Sequence, residues 1–337
     1  MSCDNKYKYT LSERPVRLDE LLSIKFEPAR WLIQDLVPLD GITMLSGLSN
    51  TYKTWIMLDM ALSIASDTVY LGQYDVKKVG VLIVDEESGH RLLQERLKSM
   101  GASSELNIHI FSRKDFKVSK ENINSLIAYC LENDIRLVAI DSLVRVIVGD
   151  ENSAKDMSAN FNLLRKLVDE GISVLLLHHE RKGSVSIKRN ASSDIRGSSD
   201  ILSSLDSHMG ISNEKSHIVK IEPTKNRHQD VNKPFEIKFN SSSELYGFEW
   251  LGEPQTKDDR KNDIKNTIEM ALAEHTGMNK QETVRKLQDS GCEFGQNAIL
   301  GAIDELIADE VIIAKKGLTN NAKNLFLNEK TNNKGDC

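Results

Sequence analysis

Residues 39–64 limit what this chain can fold into more than any other segment does. They begin with a short apolar run at 42–45 and continue through a small, polar turn. The segment ends in apolar residues that recur at helical spacing. A strand, a loop that starts with Gly47 and a helix that starts with Lys53 and Thr54 are typical of a phosphate-binding loop. Backbone N–H groups without helical partners and the helix dipole both favour an anion at such a point.

One residue of this motif departs from its usual form, G-x-x-x-x-G-K-[ST]. Tyr52 stands where a second glycine is expected, and its side chain restricts the backbone. A strand-to-helix turn with a surface lysine is therefore the alternative interpretation. On the phosphate-binding hypothesis, Lys53 reaches the β- and γ-phosphates and Thr54 holds Mg²⁺. The predicted nucleotide-binding residues are Gly47, Ser49, Asn50, Thr51, Tyr52, Lys53, Thr54 and Trp55.

The composition predicts an ordinary globular protein without a membrane segment. The chain has 337 residues, 39% of them hydrophobic, and a net charge of −6, so it can bury one large core and a smaller one. This mildly acidic balance gives no overall attraction to nucleic acid, although local basic patches remain possible. The four cysteines are scattered without metal-type spacing, and the first residues are polar. We expect a reduced, cytoplasmic protein.

Apolar runs at 79–84, 137–140 and 171–177 alternate with helical patterns, which predicts an α/β fold with a mainly parallel sheet. Polar residues follow each run, at the edge where such sheets place their active sites. Asp141 is a candidate Mg²⁺ ligand, and a carboxylate that caps a strand-end turn is the alternative. His178 and His179 are candidate sensors of the bound phosphate, and a purely structural role for either is about as plausible.

Two further segments carry cations. Residues 181–196 form a polar, basic stretch that predicts a long loop. Contact with a polyanion and a merely solvated loop explain it equally well. Lys225 and Arg227 are separated by one residue at the end of a predicted strand. They are interpreted either as a cationic finger that reaches a phosphate or as an exposed charged turn. The candidate nucleic-acid contacts are Lys182, Lys188, Arg189 and Arg196.

The last part of the chain predicts a separate small domain. Three helical patterns and two short strands follow a polar, charged stretch, and this order is typical of a winged helix. The module is not clearly basic, so it could dock DNA or protein. The predicted divisions are a polar tail at 1–14, a large domain at 15–254, a linker at 255–262, a winged helix at 263–328 and a tail at 329–337.

Taken together, these motifs resemble the RecA-like P-loop ATPases of the plasmid replicative helicase type. The resemblance covers roughly residues 15 to 240. It depends on the order and spacing of GLSNTYKT, VLIVDEE, LVAIDSLVRVI, LLLHHERK and IRGSSDI.

This resemblance implies ATP and Mg²⁺ as cofactors and a homo-oligomer, most typically a hexameric ring. It implies that Glu86 activates the attacking water, with Glu87 as the reserve candidate. It also implies that Lys225 and Arg227 reach the γ-phosphate of a neighbouring subunit.

The sequence thus predicts an oligomeric ATPase that couples Mg-ATP hydrolysis to action on DNA, as a helicase or translocase on single strands. One alternative is an ATP-switched DNA-binding regulator or loader with little turnover. Another is an assembly module whose altered loop binds nucleotide weakly or not at all. Tyr52 favours this last alternative, whereas the presence of Glu86, Asp141 and Arg227 argues against it.

Overall fold

The computed structural model describes residues 15–25, 28–180, 198–241, 244–254, 257–292, 294–316 and 323–328. The chain divides into two compact units, Met1–Glu253 and Pro254–Cys337. The basic stretch at 181–196 and both predicted tails lie outside the described residues.

The first unit alternates strands and helices through most of its length, as the apolar runs predicted. Its helices and strands, in chain order, are α1 (Leu18–Ser23), β1 (Trp31–Ile33), β2 (Val37–Pro38), β3 (Ile42–Gly47), α2 (Lys53–Ser66), β4 (Gly80–Asp85), α3 (His90–Ser99), β5 (Ile108–Ser112), α4 (Lys120–Glu132), β6 (Ile135–Asp141), α5 (Leu143–Val146), α6 (Ala154–Asp169), β7 (Ser173–His179), α7 (Ser198–Ser204), β8 (Ser207–Lys215), β9 (Ile218–Asn226), β10 (Phe235–Asn240) and β11 (Gly247–Gly252).

Within the described residues, nine strands form one sheet in the order β11-β10-β9-β8-β3-β7-β6-β4-β5. The six strands from β8 to β5 run parallel to their neighbours. The remaining three strands continue from β8 as an antiparallel meander. The predicted α/β class with a mainly parallel sheet is therefore confirmed.

Both faces of the sheet are buried, which explains why its central strands are apolar without alternation. Leu45 and Ile83 face a core that α2 covers, whereas Met44 and Val84 face a second core. Helices α4 and α6 contribute to that second core. The parallel strands are thus fixed between two layers, and their carboxyl ends come together at one edge.

The strand register decides which polar residues meet at that edge. Asp85 at the end of β4 is level with Asp141 at the end of β6. Gly47, the first residue of the phosphate-binding motif, is level with His179 at the end of β7. Four segments that are distant in the sequence therefore supply one site.

The second unit contains three helices and a two-stranded antiparallel sheet in its described part. Its first helix includes residues 257–262, which were predicted to belong to a linker. Residues 259–262 are exposed, and the buried residues of this helix, Ile268 and Leu272, come later, which explains why its beginning has no apolar residue. The elements are α8 (Lys257–Glu274), α9 (Lys280–Asp289), α10 (Gln296–Ala308), β12 (Ile312–Lys316) and β13 (Lys323–Leu327).

This order of elements is the one from which a winged helix was predicted, and the assignment stays a prediction. The unit has its own core, in which Ile299 and Ile303 of α10 pack with Leu325 of β13. Among the described residues, no helix combines the length and the apolar character needed to cross a membrane.

Candidate functional site

The loop between β3 and α2 has the geometry of a phosphate-binding loop. Lys53, the first residue of α2, is only 4% exposed. Its Nζ donates to the carbonyl oxygens of Gly47 at 2.9 Å and Leu48 at 2.6 Å, and to Oγ1 of Thr51 at 3.2 Å. Burial lowers the pKa of Lys53 to about 8. The lysine is therefore a cation held beside the loop, where an anion would compensate its desolvation.

Two backbone constraints shape this loop. A side chain at Gly47 would come within 2.3 Å of the carbonyl oxygen of Ile211 in the neighbouring strand β8, so only glycine fits there. Tyr52 adopts φ +62°, a left-handed conformation that glycine takes without strain. Its ring packs on Phe239 with centroids 4.9 Å apart, and its hydroxyl lies 3.0 Å from Nδ1 of His217. Tyr52 is thus accommodated by side-chain contacts.

Thr54 and Asp141 meet as the phosphate-loop hypothesis requires. The Thr54 hydroxyl donates to Oδ2 of Asp141 at 2.7 Å. Burial raises the pKa of Asp141 to about 6, and the charges of Glu87 and Asp85 act in the same direction. A bound cation would stabilise the ionised form of a carboxylate that is buried next to two others.

Glu87 supplies the second carboxylate of the site. Its Oε1 accepts from the Ser142 hydroxyl at 2.5 Å and lies 3.4 Å from Nε2 of His179 and 3.8 Å from Nε of Arg145. The hydrogen bond with His179 is the main reason why the pKa of Glu87 is lowered to about 2. The hydrogen bond from Ser142 and the charge of Arg145 act in the same direction, whereas burial acts against them. Glu87 is therefore ionised at neutral pH.

Glu86, the residue first predicted to activate water, lies outside this group. Its carboxylate accepts the backbone N–H groups of Lys114, Asp115 and Phe116 at 3.0–3.1 Å. These three bonds fix its side chain against the loop at 114–116. The structure thus places Glu87, the reserve candidate, in the cleft and Glu86 outside it, because the chain turns between the two glutamates.

Asp85 is the cause of that turn. Its buried carboxylate accepts the backbone N–H groups of Glu87 at 3.1 Å, Ser88 at 2.9 Å and Gly89 at 2.9 Å. These bonds curl the segment after β4, so that the Glu86 side chain meets the loop at 114–116 and the Glu87 side chain lines the cleft. Asp85 is thus a structural carboxylate that sets the direction of Glu87.

The donor set fits a small, hard cation. Ligand atoms of Glu87, Asp141 and His179 lie within 4.8 Å of one another, and the Thr54 hydroxyl is adjacent to Asp141. Oxygen atoms are the ligands that Mg²⁺ prefers, whereas an imidazole nitrogen is not. Thr54 and Asp141 would therefore hold the ion, and His179 is better placed as a partner of Glu87.

These residues line a single cleft of about 880 Å³. It also contains Arg96 and Arg145, neither of which was predicted as a site residue. Arg96 donates to the Ser88 hydroxyl at 3.2 Å and lies 5.4 Å from the ring centroid of Trp55. The lining residues are Ser49, Asn50, Thr51, Tyr52, Lys53, Thr54, Trp55, Glu87, Ser88, Arg96, Asp141, Val144, Arg145, Leu177 and His179.

Four other predicted residues do not line the cleft. Gly47 is the buried last residue of β3, and His178 is buried, with its Nδ1 unpaired among the described residues. Lys225 donates to the carbonyl oxygens of Leu202 and Ser203. Arg227 donates to Ser203 O at 2.6 Å and to Oδ1 of Asp206 at 3.1 Å, so both predicted finger cations hold the end of α7. The candidate nucleic-acid residues Lys182, Lys188, Arg189 and Arg196 lie outside the described residues.

The loop between β3 and α2, the hydrogen-bonded pair of Thr54 and Asp141 and the mainly parallel sheet are features of a RecA-like P-loop ATPase. A family model described as an AAA domain matches residues 7–185, which is more than half of the chain. The chain therefore belongs to this AAA domain family. No curated protein is significantly similar to it in sequence.

Three solved structures are similar to this chain at low sequence identity. A DnaB-like replicative helicase, solved together with its interactions with primase, is 17% identical with a TM-score of 0.50. The match covers 61% of this chain and 57% of the helicase chain, so this chain spans little more than half of that protein. A second solved ATPase domain is 16% identical, with a TM-score of 0.49, and the match covers 61% of this chain and 84% of that domain. The RadB recombinase is 18% identical, with a TM-score of 0.46, and the coverage is 63% and 91%.

Proposed function

We propose that this chain is an oligomeric ATPase that couples Mg-ATP hydrolysis to action on DNA, as a helicase or translocase. The observation that carries the proposal is the meeting of Thr54 and Asp141, 2.7 Å apart, at the mouth of the phosphate loop, with the ionised Glu87 beside them. A strand-to-helix turn with a surface lysine needs no such group of carboxylates. Lys53 is buried rather than on the surface, which also argues against that alternative.

Six residues of the cleft have a chemical role in this proposal. Lys53 neutralises charge on the β- and γ-phosphates, and Arg96 and Arg145 add further positive charge to the cleft. Glu87, rather than Glu86, orients the attacking water, because a carboxylate with a pKa of about 2 is a good acceptor but a weak base. When bound by Thr54 and Asp141, Mg²⁺ would supply electrostatic stabilisation of the phosphate oxygens.

The proposal of an oligomer is based on the position of the predicted finger, Lys225 and Arg227. Lys225 and Arg227 both donate to the carbonyl oxygen of Ser203, and neither lines the cleft of its own subunit. If either of these two cations serves a γ-phosphate, it does so in the site of a neighbouring subunit. We propose that Arg227 of one copy completes the site of the next.

Action on DNA is supported by two less direct features. The second unit has the three helices and β-hairpin from which a winged helix was predicted. The fold is also shared with a DnaB-like replicative helicase, although at 17% identity this likeness concerns the fold alone. The contact with single-stranded DNA that was predicted for the basic stretch at 181–196 is part of the proposal.

A second candidate, an ATP-switched DNA-binding regulator with little turnover, is favoured by one specific observation. Tyr52 fastens the phosphate loop to the turn between β8 and β9 through its hydroxyl, and to Phe239 of β10 through its ring. A loop restrained in this way could bind nucleotide and change conformation slowly. This candidate predicts nucleotide binding without rapid hydrolysis.

The test is steady-state ATP hydrolysis with and without single-stranded DNA, over a range of protein concentrations. We expect turnover that rises more than linearly with protein, because the sites form between subunits, and that DNA stimulates. Lys53→Ala should abolish this turnover, and it serves as the control for contaminating ATPases.

Two results would decide against the proposal. ATP binding without turnover, unaffected by DNA, would favour the regulator. Turnover that Lys53→Ala leaves unchanged would mean that the assigned cleft is not the catalytic site.

A further inference from the structure

Four polar side chains form a continuous chain of hydrogen bonds beneath the phosphate loop. Thr224 Oγ1 lies 2.5 Å from Nδ1 of His208, and Nε2 of His208 lies 2.8 Å from Oγ of Ser46. Ser46 Oγ in turn donates to Oε1 of Glu180 at 2.6 Å. This chain, here called the Thr224–Glu180 relay, crosses from β9 through β8 and β3 to the residue after β7. Ser46 and His208 are fully buried, so the central bond of the relay is shielded from solvent, whereas Thr224 and Glu180 are partly exposed.

The direction of each bond follows from the chemistry of the groups. An ionised carboxylate only accepts, so the Ser46 proton points to Glu180. Ser46 Oγ must then accept from His208, which places the imidazole proton on Nε2. Nδ1 is left as an acceptor for the Thr224 hydroxyl. Because the Ser46 proton points away from the imidazole, this group is not an activated serine nucleophile.

Burial keeps His208 neutral, since it lowers the pKa of the imidazole to about 4. A neutral imidazole with one donor and one acceptor is what the two bonds require. Each hydrogen bond of the relay therefore has only one direction of donation. A buried network in which every bond is satisfied holds its members rigidly.

The relay adjoins both the phosphate loop and the predicted finger. Ser46 precedes Gly47, whose carbonyl oxygen accepts both Lys53 Nζ at 2.9 Å and the backbone N–H of Glu180 at 3.0 Å. Thr224 directly precedes Lys225 on β9. The relay thus joins the strand that carries the phosphate loop to the strand that carries the predicted finger.

We propose that His208 is a positioning residue and that the Thr224–Glu180 relay transmits nucleotide occupancy from the phosphate loop to Lys225 and Arg227. This inference rests on the proposed ATPase function. Movement of Lys53 and Gly47 toward a bound phosphate displaces Ser46 and Glu180, and His208 carries that displacement to β9. In an oligomer, nucleotide occupancy of one site would thereby set the position of the Lys225 and Arg227 side chains that contact the site of the neighbouring subunit.

The first test uses isosteric substitutions in the full chain. Thr224→Val removes the donor to His208 Nδ1 and leaves the side-chain shape. We expect kcat for ATP to fall about 10-fold or more while the Kd for Mg-ADP changes less than about twofold, because the bond is remote from the nucleotide. Thr224→Ser restores a hydroxyl and should recover most of the lost turnover.

Thr43→Val is the matched control. Thr43 is a fully buried threonine on β3, and its hydroxyl has no partner among the described residues. We expect this variant to keep wild-type turnover. If Thr224→Val also keeps it, or if both valine variants lose the same activity through general weakening of the sheet, the relay is overturned.

The second test does not depend on turnover. Nitrogen NMR of the His208 ring should show the Nε2–H tautomer, and its Nε2 resonance should shift when Mg-ADP binds. An Nδ1–H tautomer, or a ring signal that stays unchanged while Mg-ADP binds, would overturn the relay and leave the ATPase proposal intact. A chain that binds Mg-ADP, shifts the ring signal and still fails to hydrolyse ATP would refute the proposed activity but support the relay.

Discussion

The hydroxyl of Tyr52 lies 3.0 Å from Nδ1 of His217, and this contact joins the phosphate loop to the turn between β8 and β9. Both residues have a positive φ, 62° for Tyr52 and 63° for His217. A second contact runs the same way, since the Asn213 side chain donates to the carbonyl oxygen of Asn50 at 2.9 Å. The loop is therefore held by β8 and by the β8–β9 turn, and Tyr52 makes its contact from the position where the usual motif has a glycine.

Substitution of Tyr52 tests how much the aromatic contacts stabilise this loop. Tyr52→Gly relieves a backbone cost of about 1 kcal/mol but loses the ring contacts with Phe239 and Phe248, each worth about 0.5–1.5 kcal/mol. We expect a net loss of about 1 kcal/mol in the free energy of unfolding, measured by urea denaturation. Tyr52→Phe keeps the ring and should cost less than Tyr52→Gly. Equal stability of all three proteins would show that the ring contacts do not hold the loop.

A pair of glutamine variants separates the two adjacent glutamates. Glu87→Gln should lower ATP turnover by about 100-fold or more with little change in nucleotide affinity, because it removes the charge that orients water. Glu86→Gln should keep turnover within about threefold and lose about 1–2 kcal/mol of stability, because it weakens the bonds to three backbone N–H groups. The reverse pattern in kinetics and urea unfolding would favour Glu86 as the residue that activates water.

The sequence predicted the architecture and most of the cleft because the relevant signals are local. The apolar runs marked the buried strands, and parallel strands bring their carboxyl ends to one edge. Lys53, Thr54, Asp141 and His179 could therefore be placed together from the sequence alone. Tyr52 could be recognised as a departure, but not its partner His217, which is far away in the sequence.

The remaining features depend on contacts that no local pattern contains. The choice between Glu86 and Glu87 is made by the Asp85 carboxylate, which folds the turn after β4. Strand β8 was missed because its sequence, SHMGISNEK, is mostly polar and small, and the strand is stabilised by pairing with β3 and β9. His208 lies on that strand, so the relay could not be predicted either.

The pH dependence of stability provides a test of the buried state of His208. Its pKa falls from 6.5 to about 4 through burial, with smaller effects of His178 and Lys225, so the unfolded chain binds the proton more readily. This residue therefore destabilises the fold as pH falls from 6.5 toward 4, and it has no such effect above that range. Relative to His208→Gln, which cannot titrate, the wild type should lose up to about 3 kcal/mol over this interval.

Urea unfolding of both proteins at several pH values measures that difference directly. Other groups titrate in the same interval, Asp141 among them, but they are shared by the two proteins and cancel in the comparison. A difference in unfolding free energy that is constant with pH would mean that the His208 imidazole is accessible to protons in the folded chain.

The finger role of Arg227 can be tested by mixing two inactive variants. Arg227→Ala should bind ATP normally but lose hydrolysis by about 1,000-fold, because its own cleft is intact and the missing cation belongs to the neighbouring site. The fold should survive, since Asp206 keeps its ion pair with Arg165 at 2.6 Å. Glu87→Gln has the opposite defect, with a complete finger and an inactive cleft. In mixed oligomers, the Glu87→Gln subunit supplies Arg227 to the intact cleft of its neighbour, so turnover of the mixture should exceed that of either variant alone. Mixed oligomers as inactive as their components would show that Arg227 does not act between subunits.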